Sequence, residues 1–347
     1  MKSFKEKVVI PAGAVWLMNT ISEYKGKQEL YKKQSPQVLK NLVELAIVES
    51  AESSNRIEGI TVEKGRLRPI LAGKSKPRDR SEEEVVGYRN ALRLIHSKFR
   101  QMDITPEIIK KLHGLCMPDV HDSGRWKEKD NDLIKRHSDG RIEVIFNPVP
   151  AKNTPEMISG MCLAYRQSID QWKYPPLYAV ACLVLDFLCI HPFRDGNGRV
   201  SRLLTLLAMY QQNYEVGRYI SLEKIVENSK ETYYEALHKS SLGWHNARHD
   251  IEPWLYYFLG TINTAYIEFE KRALNIKAQK GTKTVLIEEA IREQTGKFTI
   301  GDIVSALPGI SKDMVKLIFK RLSGAGKIKC LGKGQRAQWM KMPGFDE

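Results

Sequence analysis

The sequence predicts a mainly helical fold: a large helical bundle with one small β-hairpin, followed by a short basic unit of helices and a second hairpin. Three observations carry this. Apolar residues recur at helical spacing through most of the chain, as at Leu39, Leu42, Val43, Ala46 and Ile47, the i, i+3, i+4 pattern of a one-faced helix. Strand signals are sparse. The clearest is HSDGRIEVIFNPVP, in which Asp139-Gly140 supplies a tight turn and Ile142, Val144 and Phe146 alternate with other residues. Charge is uneven: residues 271–347 hold 16 Lys and Arg against 7 Asp and Glu, most of the net +14.

The elements follow in order. Helices are expected around 81–100, 105–116, 154–170, 176–190, 199–212, 230–240 and 251–275, with AGKSKPRDRS (72–81) a charged loop. A helix over 284–294 opens the basic unit, and a second ends near Ala306. PGIS then turns, with Ser311 as N-cap. The next helix points Met314, Val315, Ile318, Phe319 and Leu322 inward, and two short strands flank GKGQR. Three units are expected: an N-terminal helical region (1–100), a core (101–275) and the basic unit (276–347). The helix, turn, helix, hairpin order of the last resembles a winged helix-turn-helix. Lys312, Lys316 and Lys320 recur opposite its apolar side. That spacing suits DNA phosphates, contacted through residues 284–341, and equally a solubilising face.

Composition narrows the class. A chain of 347 residues can form two or three domains, and 42% hydrophobic residues is ordinary for a globular protein. Cys116, Cys162, Cys182, Cys189 and Cys330 are odd in number and scattered, without a CxxC pair. This excludes a disulfide framework and fits a reducing compartment. MKSFKEKVVIPAG has no signal-peptide core, and the longest apolar run, 177–190, is short for a bilayer and carries Asp186. The expectation is a soluble cytoplasmic protein without a membrane partner; a homodimer is compatible with it.

The run LYAVACLVLDFLCI leads straight into HPFRDGNGRVSR, residues 191–202. A buried helix would end at Ile190 and another begin near Gly198 or Arg199. Gly196, Asn197 and Gly198 lie just before it, where converging backbone N–H groups and free helix N–H groups form a phosphate cradle. Arg199 and Arg202 are three apart, and two guanidiniums beside such a cradle suit a polyphosphate. Asp195 is a hard oxygen ligand of the kind Mg²⁺ needs when it bridges phosphates. His191, fixed by Pro192, can take a proton from an attacking hydroxyl. The stretch reads as an ATP-like nucleotide site with its own base. Two decoys are set aside: LAGKSK has Arg68 where a P-loop needs glycine, and HNARH (245–249) lacks the glutamate of a metalloprotease helix.

Residues 191–202 match HPFx(D/E)GNGRxxR at every defined position, and the chain is identified by them as resembling the Fic (filamentation induced by cyclic AMP) family. The resemblance spans roughly 40–265. It implies a compact helical bundle with a β-hairpin flap, and transfer of AMP from ATP to a Ser, Thr or Tyr hydroxyl of a target protein. By that resemblance His191 is the general base, Asp195 holds Mg²⁺, and Phe193 anchors the loop. Gly196, Asn197 and Gly198 form the anion hole, and Arg199 and Arg202 hold the distal phosphates. Tyr233 and Tyr234 lie near the adenine. Residues 141–146 are the flap, with Ile142, Val144, Ile145 and Phe146 docking the target, whose identity the sequence does not encode.

SSNRIEGI matches the same family's inhibitory pattern (S/T)xxxE(G/N) through Ser54, Glu58 and Gly59. Glu58 would end a helix, with Gly59 in the left-handed conformation after it. The resemblance implies that Glu58 pairs with Arg202 within the same chain and restrains transfer. Two alternatives stay open: removal of AMP from modified protein, with Glu58 positioning a water, and a DNA-binding regulator whose core senses nucleotide.

Overall fold

The computed structural model describes residues 1–347 except 7, 35, 119–120, 137–139, 278–281, 295, 308–309, 333, 335–336, 344 and 346–347. Asp139 of the expected hairpin turn, the first two residues of PGIS and three residues of GKGQR lie outside that set.

The helices α1 (Ala12–Gln34), α2 (Pro36–Ile57), α3 (Lys64–Leu71), α4 (Arg80–Lys98) and α5 (Pro106–Cys116) precede the hairpin β1 (Leu133–Arg136) and β2 (Ile142–Phe146). Then come α6 (Thr154–Asp170), α7 (Pro176–Ile190), α8 (Asn197–Gln211), α9 (Leu222–Asn228), α10 (Lys230–Ser241) and α11 (Glu252–Lys277). Local chemistry sets several starts. Asp79 accepts the Glu82 N–H to open α4, and Thr105 accepts that of Ile108 to open α5, with Pro106 in the first turn.

Helix α7 is the axis of the bundle. From Leu177 to Ile190 only Leu188 escapes full burial, because α6, α8, α10 and α11 all pack on it. Its one carboxylate, Asp186, is buried and fully engaged. It accepts the Ser3 N–H (3.2 Å), the Ser3 hydroxyl (2.6 Å) and the Trp244 indole N–H (2.6 Å). Burial pushes its pKa up to about 6. The N-terminal segment is therefore threaded into the bundle through a hydrogen-bonded carboxylate rather than through apolar packing alone.

The basic unit comprises α12 (Thr282–Arg292), β3 (Phe298–Thr299), α13 (Ile300–Ala306), α14 (Lys312–Gly324), β4 (Ile328–Cys330) and β5 (Gln338–Lys341). Its sheet is antiparallel in the order β3-β5-β4, one strand more than the sequence predicts. It owns a separate apolar cluster that includes Ile291, Phe298, Ile303, Phe319 and Leu322. Ser311 caps α14, accepting the Met314 N–H. Lys312, Lys316 and Lys320 are exposed, and Lys316 pairs with Asp313 at 3.2 Å. Among the described residues no helix is long and apolar enough to cross a membrane. All five cysteines are free, and four are buried.

Candidate active site

The turn after α7 is set by proline and by a neighbouring strap. His191 takes the left-handed conformation (φ 51°), its N–H still bonded to Phe187 O at 2.9 Å. A residue before proline disfavours the helical region, so α7 cannot continue through it. Lys127 ties the turn down: its N–H donates to Pro192 O (2.9 Å), and its buried ammonium reaches Ile190 O (3.5 Å) and Asn131 Oδ1 (2.8 Å). His191 Nδ1 lies 3.4 Å from Leu188 O. A carbonyl only accepts, so Nδ1 carries the proton and Nε2 is left with its lone pair. Burial, followed by the nearby Lys127 charge, pushes the His191 pKa down to about 4. At neutral pH the imidazole is an unprotonated base.

The loop is stapled from below. Phe193 is buried, stacked on His113 with 3.8 Å between ring centroids, and in contact with Trp126. Asn197 brackets it, accepting the Phe193 N–H (2.9 Å) and donating to Phe193 O (2.8 Å). Gly196 is left-handed (φ 78°), a conformation that favours glycine, and a Cβ there would crowd Met117 at 3.0 Å. The Asp195 carboxylate is more than half exposed, accepts the Gly196 N–H at 2.6 Å, and lies 3.6 Å from Arg80 and 3.7 Å from Arg199.

Helix α2 delivers Glu58 to the same place. Gly59 is left-handed (φ 82°) as expected, and the Lys230 ammonium caps Ile57 O at 2.6 Å. Arg202 donates to Glu58 Oε1 (2.7 Å), the Ser54 hydroxyl (2.8 Å) and the Ser54 carbonyl (3.0 Å). A Cβ on Gly198 would fall 2.2 Å from Glu58 Oε1. The Glu58 carboxylate thus lies directly over the cradle. Arg199 has a different fate. It is buried on the Glu84 carboxylate of α4, with Asn55 Oδ1 at 3.4 Å, and it does not line the cleft.

An open cleft of about 880 Å³ joins these groups. Glu58, His191, Asp195, Gly196, Asn197, Gly198 and Arg202 line its floor; Tyr233, Tyr234 and His238 of α10 form one wall. Tyr233 is buried against Trp254 and Tyr257, whereas Tyr234 is exposed at the rim. The hairpin closes the other side. Register pairs Ile134 with Val144 and slips between Leu133 and Ile134. Ile145 and Phe146 line the cleft, while Ile142 and Val144 are exposed and do not. Phe146 stacks on His245, whose Nε2 lies 2.7 Å from Asn147 O. HNARH is not a helix: residues 244–246 form a single 3-10 turn, and His249 is buried at 3.0 Å from the Ser3 hydroxyl.

Residues 103–209 match the Fic/DOC family. The chain thus contains a Fic/DOC-family region, and residues 191–202 lie within it. A relative named protein adenylyltransferase fic-1 from Caenorhabditis briggsae is 27% identical over 210 residues, which cover 58% of this chain and 37% of that protein. Protein adenylyltransferase Fic from Nematostella vectensis is 24% identical over 226 residues, covering 62% of this chain and 47% of its own. The chain spans little more than a third of the first of these and under half of the second. A solved Fic family protein from Desulfovibrio desulfuricans G20 superposes with a TM-score of 0.62 at 19% identity, covering 97% of this chain and 98% of its own. At that identity the likeness speaks for the fold alone, a Fic bundle.

The Fic motif was readable residue by residue; its supports were not. His113, Lys127 and Glu84 each touch the loop or its arginines, yet lie 64 or more residues upstream of His191. In sequence they look like one polar residue on an apolar helix face and two ordinary charges.

Proposed function

We propose that the chain transfers AMP from ATP to a Ser, Thr or Tyr hydroxyl of a target protein, restrained by Glu58. One observation carries this reading: the Glu58 carboxylate, the unpaired Arg202 Nη1 and a neutral His191 share one cleft with the glycine-bearing loop at the N-terminus of α8. His191 Nε2 removes the proton of the target hydroxyl. The oxygen attacks the α-phosphorus of ATP, an O–P bond forms, and the bond to the β-phosphate oxygen breaks to release pyrophosphate. The N–H groups of the cradle offset the charge on the phosphoryl oxygens, and Arg202 takes the distal phosphates once Glu58 yields it.

Asp195 fits a magnesium ligand: its carboxylate is exposed to the cleft, and Mg²⁺ is ordinarily held by one or two carboxylates with phosphate oxygens and water. When bound, the ion would neutralise phosphate charge. Arg199 serves beneath the loop, since Glu84 holds it away from the cleft. The hairpin receives the target by main-chain pairing along β2, with Ile145 and Phe146 facing the site. The basic unit is a separate domain of winged-helix type, supported by its own apolar cluster, and its exposed lysines suit nucleic acid. Removal of AMP from modified protein is the second reading, favoured by the position of Glu58 over the cradle.

Incubation with α-labelled ATP and a protein extract tests the choice. Label on protein supports transfer. Release of AMP from pre-modified protein, with no labelling, supports the second reading.

A further inference from the structure

We propose that His113 is a positioning residue that aims the Gly196 N–H into the cleft by holding the Asp195 carbonyl beneath it. The inference rests on the nucleotide-site reading above. His113 lies on α5 and is buried below the loop, outside the cleft lining. The Gly124 N–H points at its Nδ1 (2.9 Å), and the Asp195 carbonyl lies 3.1 Å from its Nε2. A backbone N–H can only donate, so Nδ1 bears no proton. A carbonyl can only accept, so Nε2 bears one. A single form of the ring satisfies both contacts: the neutral Nε2–H tautomer.

The consequence runs through one peptide bond. In a trans peptide the C=O and the following N–H point in opposite directions, and the described peptide bonds are all trans. With the Asp195 carbonyl held down on His113, the Gly196 N–H faces up, where it meets the Asp195 carboxylate at 2.6 Å on the cleft side. The stacked Phe193 ring, 7° from parallel, and the contact of a Gly196 Cβ position with His113 at 3.4 Å fix the imidazole against the same loop. His113 touches no substrate; it sets the direction of a cradle donor.

Two isosteres separate its contacts. His113→Asn keeps an acceptor near the Nδ1 position and loses the Nε2 donor. His113→Gln keeps a donor near the Nε2 position and loses the acceptor. The full chain is titrated with ATP and, separately, with adenosine, which has no phosphate. ATP affinity is expected to fall roughly 10–100-fold in His113→Asn, the range of a lost hydrogen bond to a charged group, and to stay near wild type in His113→Gln. Adenosine affinity is expected to be unchanged in both. Equal losses for ATP and adenosine, or an unaltered ATP affinity in His113→Asn, would overturn the proposal. Should neither variant fold, ¹⁵N-histidine spectra of the wild-type chain decide it: a protonated Nδ1 or an imidazolium at His113 at neutral pH refutes it, an Nε2–H tautomer supports it. An ATP-selective loss in His113→Asn, with a wild-type chain that transfers no AMP, would remove the reaction assigned above and leave this inference standing.

Discussion

On the proposed reading, replacing Glu58 by glycine removes the anion that competes with ATP for Arg202. The structure sets the size of the effect. Arg202 holds Glu58 through one charged bond of 2.7 Å, and Ser54 keeps two further bonds to the same guanidinium. After Glu58→Gly, Arg202 therefore stays aimed, and Nη1 together with the Nη2 hydrogen that Glu58 held is free for the distal phosphates. A hydrogen bond to a charged group is worth about 1.5–3 kcal/mol, which corresponds to about 10–150-fold. Glu58 retains roughly a quarter of its side-chain exposure, and solvent screening places the gain toward the lower part of that range. The carboxylate also vacates the space above Gly198, where it now lies 2.2 Å from a Cβ position. Misplacement of a reacting group by an ångström can cost about 10²-fold, so the transfer rate should rise by one to two orders of magnitude. The assay is the initial rate of label transfer from α-labelled ATP, in wild type, Glu58→Gly, Arg202→Ala and the double variant, with thermal unfolding as a control. The stimulation should vanish in the Arg202→Ala background. A Glu58→Gly protein no faster than wild type, or equally stimulated without Arg202, would refute the competition.

Three further substitutions and the pH dependence carry expected outcomes. His191→Ala should lower transfer by roughly 10²–10⁴-fold while ATP affinity, measured by calorimetry, stays near wild type; a parallel loss of binding would make His191 structural. The acid limb of the rate should lie near the lowered His191 pKa of about 4, below an ordinary imidazole, since the base is lost only when it is protonated. Lys127→Met removes a charge that lowers this pKa, so the limb should move up, yet stay below the ordinary value because burial is the larger cause; an unmoved limb contradicts the assignment. The same shift makes stability fall as pH drops from the unfolded value near 6.5 toward 4, where the unfolded state binds the proton first. Glu84→Ala leaves Arg199 buried without its main partner, and breaking a buried pair costs about 3–5 kcal/mol; a loss under about 1 kcal/mol in urea unfolding would show that Asn55 and Asp195 suffice.

The helical bundle, α7 and the turn into α8 could be read from sequence because their signals are local: an apolar run ended by His191-Pro192, then glycines and arginines at fixed spacing. Glu58 could be found because its helix ends on a glycine three residues beyond Arg56. Helix α1 was not foreseen: Val15, Trp16 and Leu30 are exposed on it, which blurs the stripe that periodicity detects. Helices α3 and α9 are one to two turns long and too short to show a period. Arg199 and Arg202 look alike in sequence. Their separate surroundings come from which carboxylate each meets, Glu84 from α4 or Glu58 after α2, and that is decided by packing between distant helices. His113 and Lys127 act through backbone groups of the loop, a relation that residue type alone does not encode.

The most direct test of the account is the intact mass of the Glu58→Gly chain after incubation with Mg-ATP and an acceptor protein extract, followed by peptide mapping, with the Glu58→Gly/His191→Ala double variant alongside. The account predicts one or more added AMP moieties on Ser, Thr or Tyr, on the chain itself or on an acceptor, and none with the double variant. Unmodified protein with Glu58→Gly, or equal modification without His191, would contradict it.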